Sequence, residues 1–176
     1  QPIPLAAKVA RDKGAMTPAI ALTAFAMTPV GVVHGPAEDP SGDLGWGDVD
    51  SVVEVDERFG ESPFEGLDGF SHVELVFVFD EVDERADYRE PQRPLGRRDM
   101  PAIGIFADRG PVRPNRLGHS ACEVVAVEGR RLTVRGLDAV DGTPVLDIKP
   151  AMPAFLPEHV EQPEWAERLM ESYFDR

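Results

Sequence analysis

Polar and apolar side chains alternate most cleanly over residues 71–80. Val73, Leu75, Phe77 and Phe79 fall on one side; His72, Glu74, Val76, Val78 and Asp80 fall on the other. A period of two is the signature of a β-strand. The first set is wholly apolar and predicts a core face. The second is apolar in its middle and polar at its ends, which suits a strand covered on both sides with a polar site at one end. Shorter strand-like runs occur at 30–34, 49–55, 102–107, 121–127, 131–135 and 145–148. Glu128-Gly129-Arg130 predicts a hairpin and Asp141-Gly142 a second tight turn. These runs follow one another without helical spacing between them. The pattern therefore predicts an all-β fold, an antiparallel sandwich or barrel. Helical spacing enters only at the end, where Trp165, Leu169 and Tyr173 recur every four residues. That predicts an amphipathic helix over 163–174, with Pro163 at its first position, packed on the barrel or on a partner subunit.

The connections are legible by composition. Residues 35–48 are rich in Gly, Pro, Ser and Asp and form a loop. Trp46 is its one large residue, read either as a lid over the core or as an aromatic wall of a pocket. Residues 58–69 read as a loop or short helical turn. Residues 81–100 are charged and punctuated by proline, a surface loop carrying Arg93, Arg97 and Arg98. Residues 109–118 hold three arginines, two prolines and two glycines, which suits neither a helix nor a central strand.

A chain of 176 residues is long enough for one domain with a real core. Its formal charge of −14 disfavours unaided nucleic-acid binding, because an acidic surface repels phosphate. The arginines of the central stretch are a candidate local exception. Cys122 is the only cysteine, so no intrachain disulfide forms and a cytoplasmic location is expected. No apolar run predicts a membrane span. Residues 1–26 imitate a signal peptide, with Lys8, Arg11 and Lys13 before an apolar run; they are read as an extension outside the folded domain.

The motifs of hydrolases, P-loop enzymes and dinucleotide-binding domains are not found, and the four histidines lack metal-ligand spacing. What remains is a proline-stiffened loop presenting Arg109, Arg113, Asn115 and Arg116 beside the acidic residues Asp80, Asp138 and Asp141. Arg109 suits bidentate capture of a carboxylate, and the aspartates suit hydroxyls or an amine. Structural salt bridges are the alternative use of the same arginines.

Several of these segments together carry a family resemblance. They are Val30-Gly-Val-Val33; Gly69-Phe-Ser-His72 and the strand after it; Ile103-Gly-Ile-Phe-Ala-Asp-Arg109; Arg113-Pro-Asn115 with Leu117-Gly118; and Leu137-Asp138 running on through Asp141-Gly-Thr-Pro-Val-Leu-Asp-Ile-Lys-Pro150. This set resembles the TsaA-like (YaeB, TrmO-type) family of S-adenosylmethionine-dependent tRNA methyltransferases. The resemblance covers residues 28–156 as one domain, followed by a helical tail at 157–176. It implies a small β-barrel that works as a homodimer and methylates N6 of threonylcarbamoyladenosine in tRNA. It also implies an S-adenosyl-L-methionine site at Asp80, Glu81, Arg109, Leu117 and Leu137, Asp138, Ala139 and Val140. Asp80 and Glu81 are the candidates for catalysis. Arg113, Asn115, Arg116 and Trp46 are the candidates for substrate contact. The chain has Asp80 where the family often has His, Gly110 where it often has Ser, and Gly45-Trp-Gly47 in place of a Pro-Arg-Gln type segment. A small-molecule acceptor, or a module that binds the cofactor without catalysis, are the alternatives.

Overall fold

The computed structural model describes residues 25–35, 45–83, 89–171 and 173–174. Each expected strand but one is present: β1 (Gly31–His34), β2 (Asp50–Val55), β3 (His72–Val78), β4 (Leu117–Glu128), β5 (Arg131–Arg135) and β6 (Pro144–Pro150). They close a barrel in the order β1-β2-β5-β4-β3-β6, with β6 returning to β1 and every pair antiparallel.

The alternation read from the sequence becomes the inside and outside of the barrel. Val73, Leu75 and Phe77 of β3 are buried, with Phe79 packed against them, while His72 on the other face is exposed. Val33, Val53, Leu132, Val134 and Val145 complete the core from the other strands. Strand β4 is longer than its apolar run predicts. Its first half, from Leu117 to Glu123, pairs with β3; from Glu123 onward it pairs with β5. A register shift between Val124 and Ala126 lets the strand bend between its two neighbours.

Two expectations are corrected. Residues 102–107 are not a strand. Ile103 makes one isolated bridge to Gln92, and Ile105–Ala107 is a 3-10 turn. Pairing stops at that one residue, and an alternation without a continuing partner strand cannot satisfy the rest of its backbone as sheet. The terminal helix α1 is shorter than expected, Glu164–Met170, and Pro163 precedes it in extended backbone as its N-cap. Tyr173 lies beyond its end. Residues 58–69 form 3-10 turns, as expected of a loop with short helical character. The amino-terminal extension, except Phe25 and Ala26, lies outside the described residues.

Antiparallel closure sorts the connections between the two ends of the barrel. At one end lie the described residues of the connections that join β1 to β2 (35 and 45–49), β3 to β4 (79–83 and 89–116) and β5 to β6 (136–143). At the other lie residues 56–71 and the β4–β5 hairpin. The first end holds every candidate site residue of the sequence.

At that end Gly118 permits a close approach. A Cβ there would sit 2.2 Å from the ring of Phe77. Gly118→Ala is expected to destabilise the fold by about 1–3 kcal/mol through overpacking, read from urea unfolding. The loss should shrink when Phe77 is also cut to Leu; an undiminished loss would show that the ring is not the obstacle.

Candidate functional site

Three ties assemble the candidate end. The first fixes the long 79–116 connection. Asn115 and Arg116 carry positive φ of 64° and 51°, a left-handed conformation that Asn tolerates and most side chains avoid. Their turn aims the Arg116 carbonyl at the Phe79 amide, which donates to it at 2.8 Å. The Arg116 guanidinium donates to the Val82 carbonyl at 2.9 Å. The loop is thereby docked on the exit of β3, beside Asp80 and Glu81, both exposed. Asn115 is exposed, and its backbone conformation alone accounts for its residue type.

The second tie is Arg109, which donates to the His119 carbonyl on β4. Arg113 likewise donates to the Asp108 carbonyl at 3.1 Å. The arginines of this loop thus brace the backbone through carbonyls, a structural use different from the salt bridges considered from the sequence. One such bond occupies a single N–H of a guanidinium that has five.

The third tie is polar and lies inside the barrel mouth. Gly118, Ser120 and Cys122 form the inward face of β4. The Ser120 hydroxyl donates to one oxygen of Asp138, and the Tyr173 hydroxyl donates to the other at 3.1 Å. Burial raises the Asp138 carboxyl above its ordinary value, against the lowering effect of these two hydrogen bonds and the Arg109 charge. Burial and the nearby Asp138 charge push the Cys122 thiol up to about 12, so this buried cysteine is inert as a nucleophile at neutral pH.

Leu137 and Ala139 flank Asp138 and are buried, so their side chains plug the mouth. Only their backbone can face a ligand. Among the described residues no backbone-to-backbone hydrogen bond engages Leu137, Asp138 or Ala139, while the Asp138 backbone acts on its own carboxylate. Nearby, Ser51 is 1% exposed and its hydroxyl has no hydrogen-bond partner among the described residues. It lies close to Gly35, which itself approaches the Ala139 carbonyl. Trp46 is buried, in keeping with a lid over the core; it leaves little surface for a ligand wall.

Most of the sequence candidates therefore meet at one end. Trp46 is set back from the surface, and Asp80 and Glu81 sit on its outer rim. Sequence reasoning missed Ser51, Ser120 and Tyr173. The first two carried a signal, since they fall on the inward phase of their strands. Tyr173 carried none beyond its place in the helical spacing. A separate groove of about 360 Å³ opens at the other end, lined by Phe59, Phe64, Leu67, Phe70, Ile148 and others. It contains none of the candidates and is largely apolar.

The family model of the tRNA-methyltransferase O N-terminal domain matches residues 37–155. The chain belongs to this family. Over 132 residues it is 34% identical to a Pyrococcus abyssi protein named "Probable S-adenosyl-L-methionine-binding protein", spanning 72% of this chain and 68% of that one. Over 92 residues it is 40% identical to the tRNA (adenine(37)-N6)-methyltransferase of Escherichia coli, spanning 50% of this chain and 39% of that one. A crystal structure of TrmO from P. aeruginosa superimposes with a TM-score of 0.65 at 27% identity, over 85% of this chain and 64% of that one. The chain thus spans well under half the length of the E. coli relative it matches. The family segment includes all twelve candidates. It leaves out β1, at the start, and the tail with α1 and Tyr173, at the end.

The raised Asp138 carboxyl sets a pH trend. Its folded state holds a proton above the ordinary value of 3.8, so its contribution to stability is full below that value and is lost as pH rises through the raised one. Asp138→Asn removes the titration. Wild type is expected to lose thermal stability relative to this variant as pH rises above the ordinary carboxyl value. A gap that stays constant with pH would show that Asp138 carries no such shift.

Proposed function

We propose that this chain is an S-adenosyl-L-methionine-dependent methyltransferase domain acting on N6 of a tRNA adenosine. The observation that carries the reading is the convergence of Arg109, Leu117 and Leu137 to Val140 at one barrel end, within the family segment. Relatives named tRNA (adenine(37)-N6)-methyltransferase in bacteria and mammals supply the reaction class.

The groups at this end suit that cofactor. Asp138 is a half-buried carboxylate whose side-chain partners are two hydroxyls, so a nearby cation or ribose hydroxyl would offset its desolvation. Ser51 offers an unpartnered buried hydroxyl. The open backbone of Leu137 to Ala139 suits a purine edge. The remaining N–H groups of Arg109 suit a carboxylate. When bound, S-adenosylmethionine supplies a methyl group already activated on a sulfonium. The protein's task is then chiefly alignment, which can contribute roughly 7–11 kcal/mol. Leu137 and Ala139 exclude water from below. Asp80 and Glu81, on the exposed rim, are placed to take the proton an acceptor nitrogen releases.

The charge of −14 favours the alternative of a small-molecule acceptor. The names of the relatives favour RNA. Residues 89–116 hold seven arginines against three acidic residues, but residues 79–88 of the same connection add five acidic residues and one arginine, so the whole connection is neutral. At physiological salt, charges beyond about 8 Å are largely screened, so a phosphate docked against 89–116 would be governed by the arginines nearest it. We also propose a homodimer. Phe106, Leu95, Phe155 and Val160 are large apolar side chains more than 70% exposed, and a partner subunit would cover them. A tRNA acceptor implies a cytoplasmic site of action; among the described residues no helix is long and apolar enough to cross a membrane.

Calorimetric titration with S-adenosylmethionine and S-adenosylhomocysteine tests the cofactor. Saturable binding of both at one site per chain is expected, and no binding of either would overturn the reading. Arg109→Ala should weaken binding by roughly 10- to 150-fold, the loss of a charged hydrogen bond; unchanged affinity would remove Arg109 from the site. For the acceptor, binding of unmethylated tRNA should fall steeply between about 50 and 200 mM salt. Turnover with a small acceptor, and no salt-dependent tRNA binding, would favour the alternative.

A further inference from the structure

The residues after position 155 fall outside the family segment, yet they return to the candidate site. The chain leaves β6 at the far end of the barrel and forms α1, and its last described residues reach the barrel mouth. There they touch two connections at once. The Trp46 amide donates to the Tyr173 carbonyl at 3.1 Å. The Tyr173 hydroxyl donates to Asp138 at 3.1 Å. The Phe174 carbonyl lies so near Gly47 that a Cβ there would sit 2.2 Å from it. Glycine at position 47 is thus a requirement of the docked tail, and it explains part of the Gly45-Trp-Gly47 departure noted in the sequence. The rings of Tyr173 and Phe174 meet edge to face at 4.9 Å.

We infer that Tyr173 is a positioning residue of the cofactor site: with Ser120 it fixes Asp138 and so sets the 137–140 segment against which the adenosine would lie. The inference rests on the function proposed above. It assigns the tail a part in ligand binding that a packing role alone would not require. With both carboxylate oxygens held by hydroxyls, Asp138 cannot rotate, and its neighbours Leu137 and Ala139 keep their plugs in the mouth. The Tyr173 phenol is itself raised above its ordinary value by burial and by the Asp138 charge, so it stays a donor throughout the neutral range.

The charged and titratable groups acting on Asp138 are Arg109 from the long loop, Cys122 from β4 and Tyr173 from the tail. The Tyr173 hydrogen bond favours the ionised carboxylate. Its loss therefore moves the Asp138 titration to higher pH. Tyr173→Phe in the full chain tests this with three readouts. Affinity for S-adenosylmethionine is expected to fall roughly three- to tenfold, the scale of one net hydrogen bond. The acid limb of its pH profile should move upward. The side-chain carboxyl carbon of Asp138, followed by NMR in the unliganded chain, should titrate at higher pH than in wild type. Ser120→Ala removes the other donor without touching the tail and should shift the same titration in the same direction, which keeps the test open if Tyr173→Phe folds poorly. Wild type that binds neither cofactor form overturns the functional reading and this inference together. Wild type that binds, with affinity, pH profile and carboxyl titration unmoved in Tyr173→Phe, overturns the role of Tyr173 alone.

Discussion

Everything at the candidate site depends on the closure of β6 onto β1. That seam is short: Gly31 pairs with Val145 and Val32 with Pro144, and the Val30 and Val33 amides add hydrogen bonds to the carbonyls of Val145 and Thr143. Closed, the sheet has no unpaired edge. Each strand runs against its neighbours, so the connections must alternate between ends. Three loops distant in sequence are brought to one mouth by that requirement alone, and no specific long-range contact among their side chains is needed to gather them. The ties then refine what closure has already assembled. The Gly35 amide donates to Asp141 at 3.1 Å, and the Gly136 amide donates to the Val49 carbonyl at the same distance, so the first and last of these loops are fastened to each other.

Towards the mouth, polar groups enter the apolar core. Ser51, Ser120, Thr143 and Asp138 are buried or partly so, and Ser51 and Ser120 pair directly with the core residues Val134 and Leu75. Polar groups in such a place cost free energy unless they are partnered. Ser51, at 1% exposure, has no partner for its hydroxyl among the described residues, and an unsatisfied buried hydroxyl costs about 1–3 kcal/mol. Val or Ala at this position would avoid that cost. These polar groups stand at the same end as the arginine loop, which is why the proposed cofactor site is set there.

The fold was largely legible because a barrel wall is a period-two object, and β3 shows that period without interruption from His72 to Val78. The failure at 102–107 has the same logic in reverse. Its residues are apolar enough for a strand, but the flanking Pro101 and the Asp-Arg-Gly-Pro run after it confine pairing to the single Ile103–Gln92 bridge. The site was legible in part. Arg109, Arg116 and the 137–140 segment stand out through proline, charge and turn chemistry, all of which are local. Ser120 and Tyr173 do not, because their importance lies in a shared partner, Asp138, that is 18 and 35 positions away. Alternation could place Ser120 on the inner face, but could not say that Asp138 would meet it there.

The arginines show why residue type alone underdetermines role. Four of them, at positions 93, 109, 113 and 116, donate to backbone carbonyls of the same long connection or of the strand beside it. That bracing replaces the sheet hydrogen bonds which a loop rich in proline cannot make. It also determines where the charge resides. A guanidinium anchored in this way keeps its full charge, and it has already lost much of the side-chain entropy that binding would otherwise cost. Structural and functional readings of these residues are therefore not rivals. A loop held rigid by its own cations presents them in a fixed pattern, which is what the acceptor proposed above would require of it.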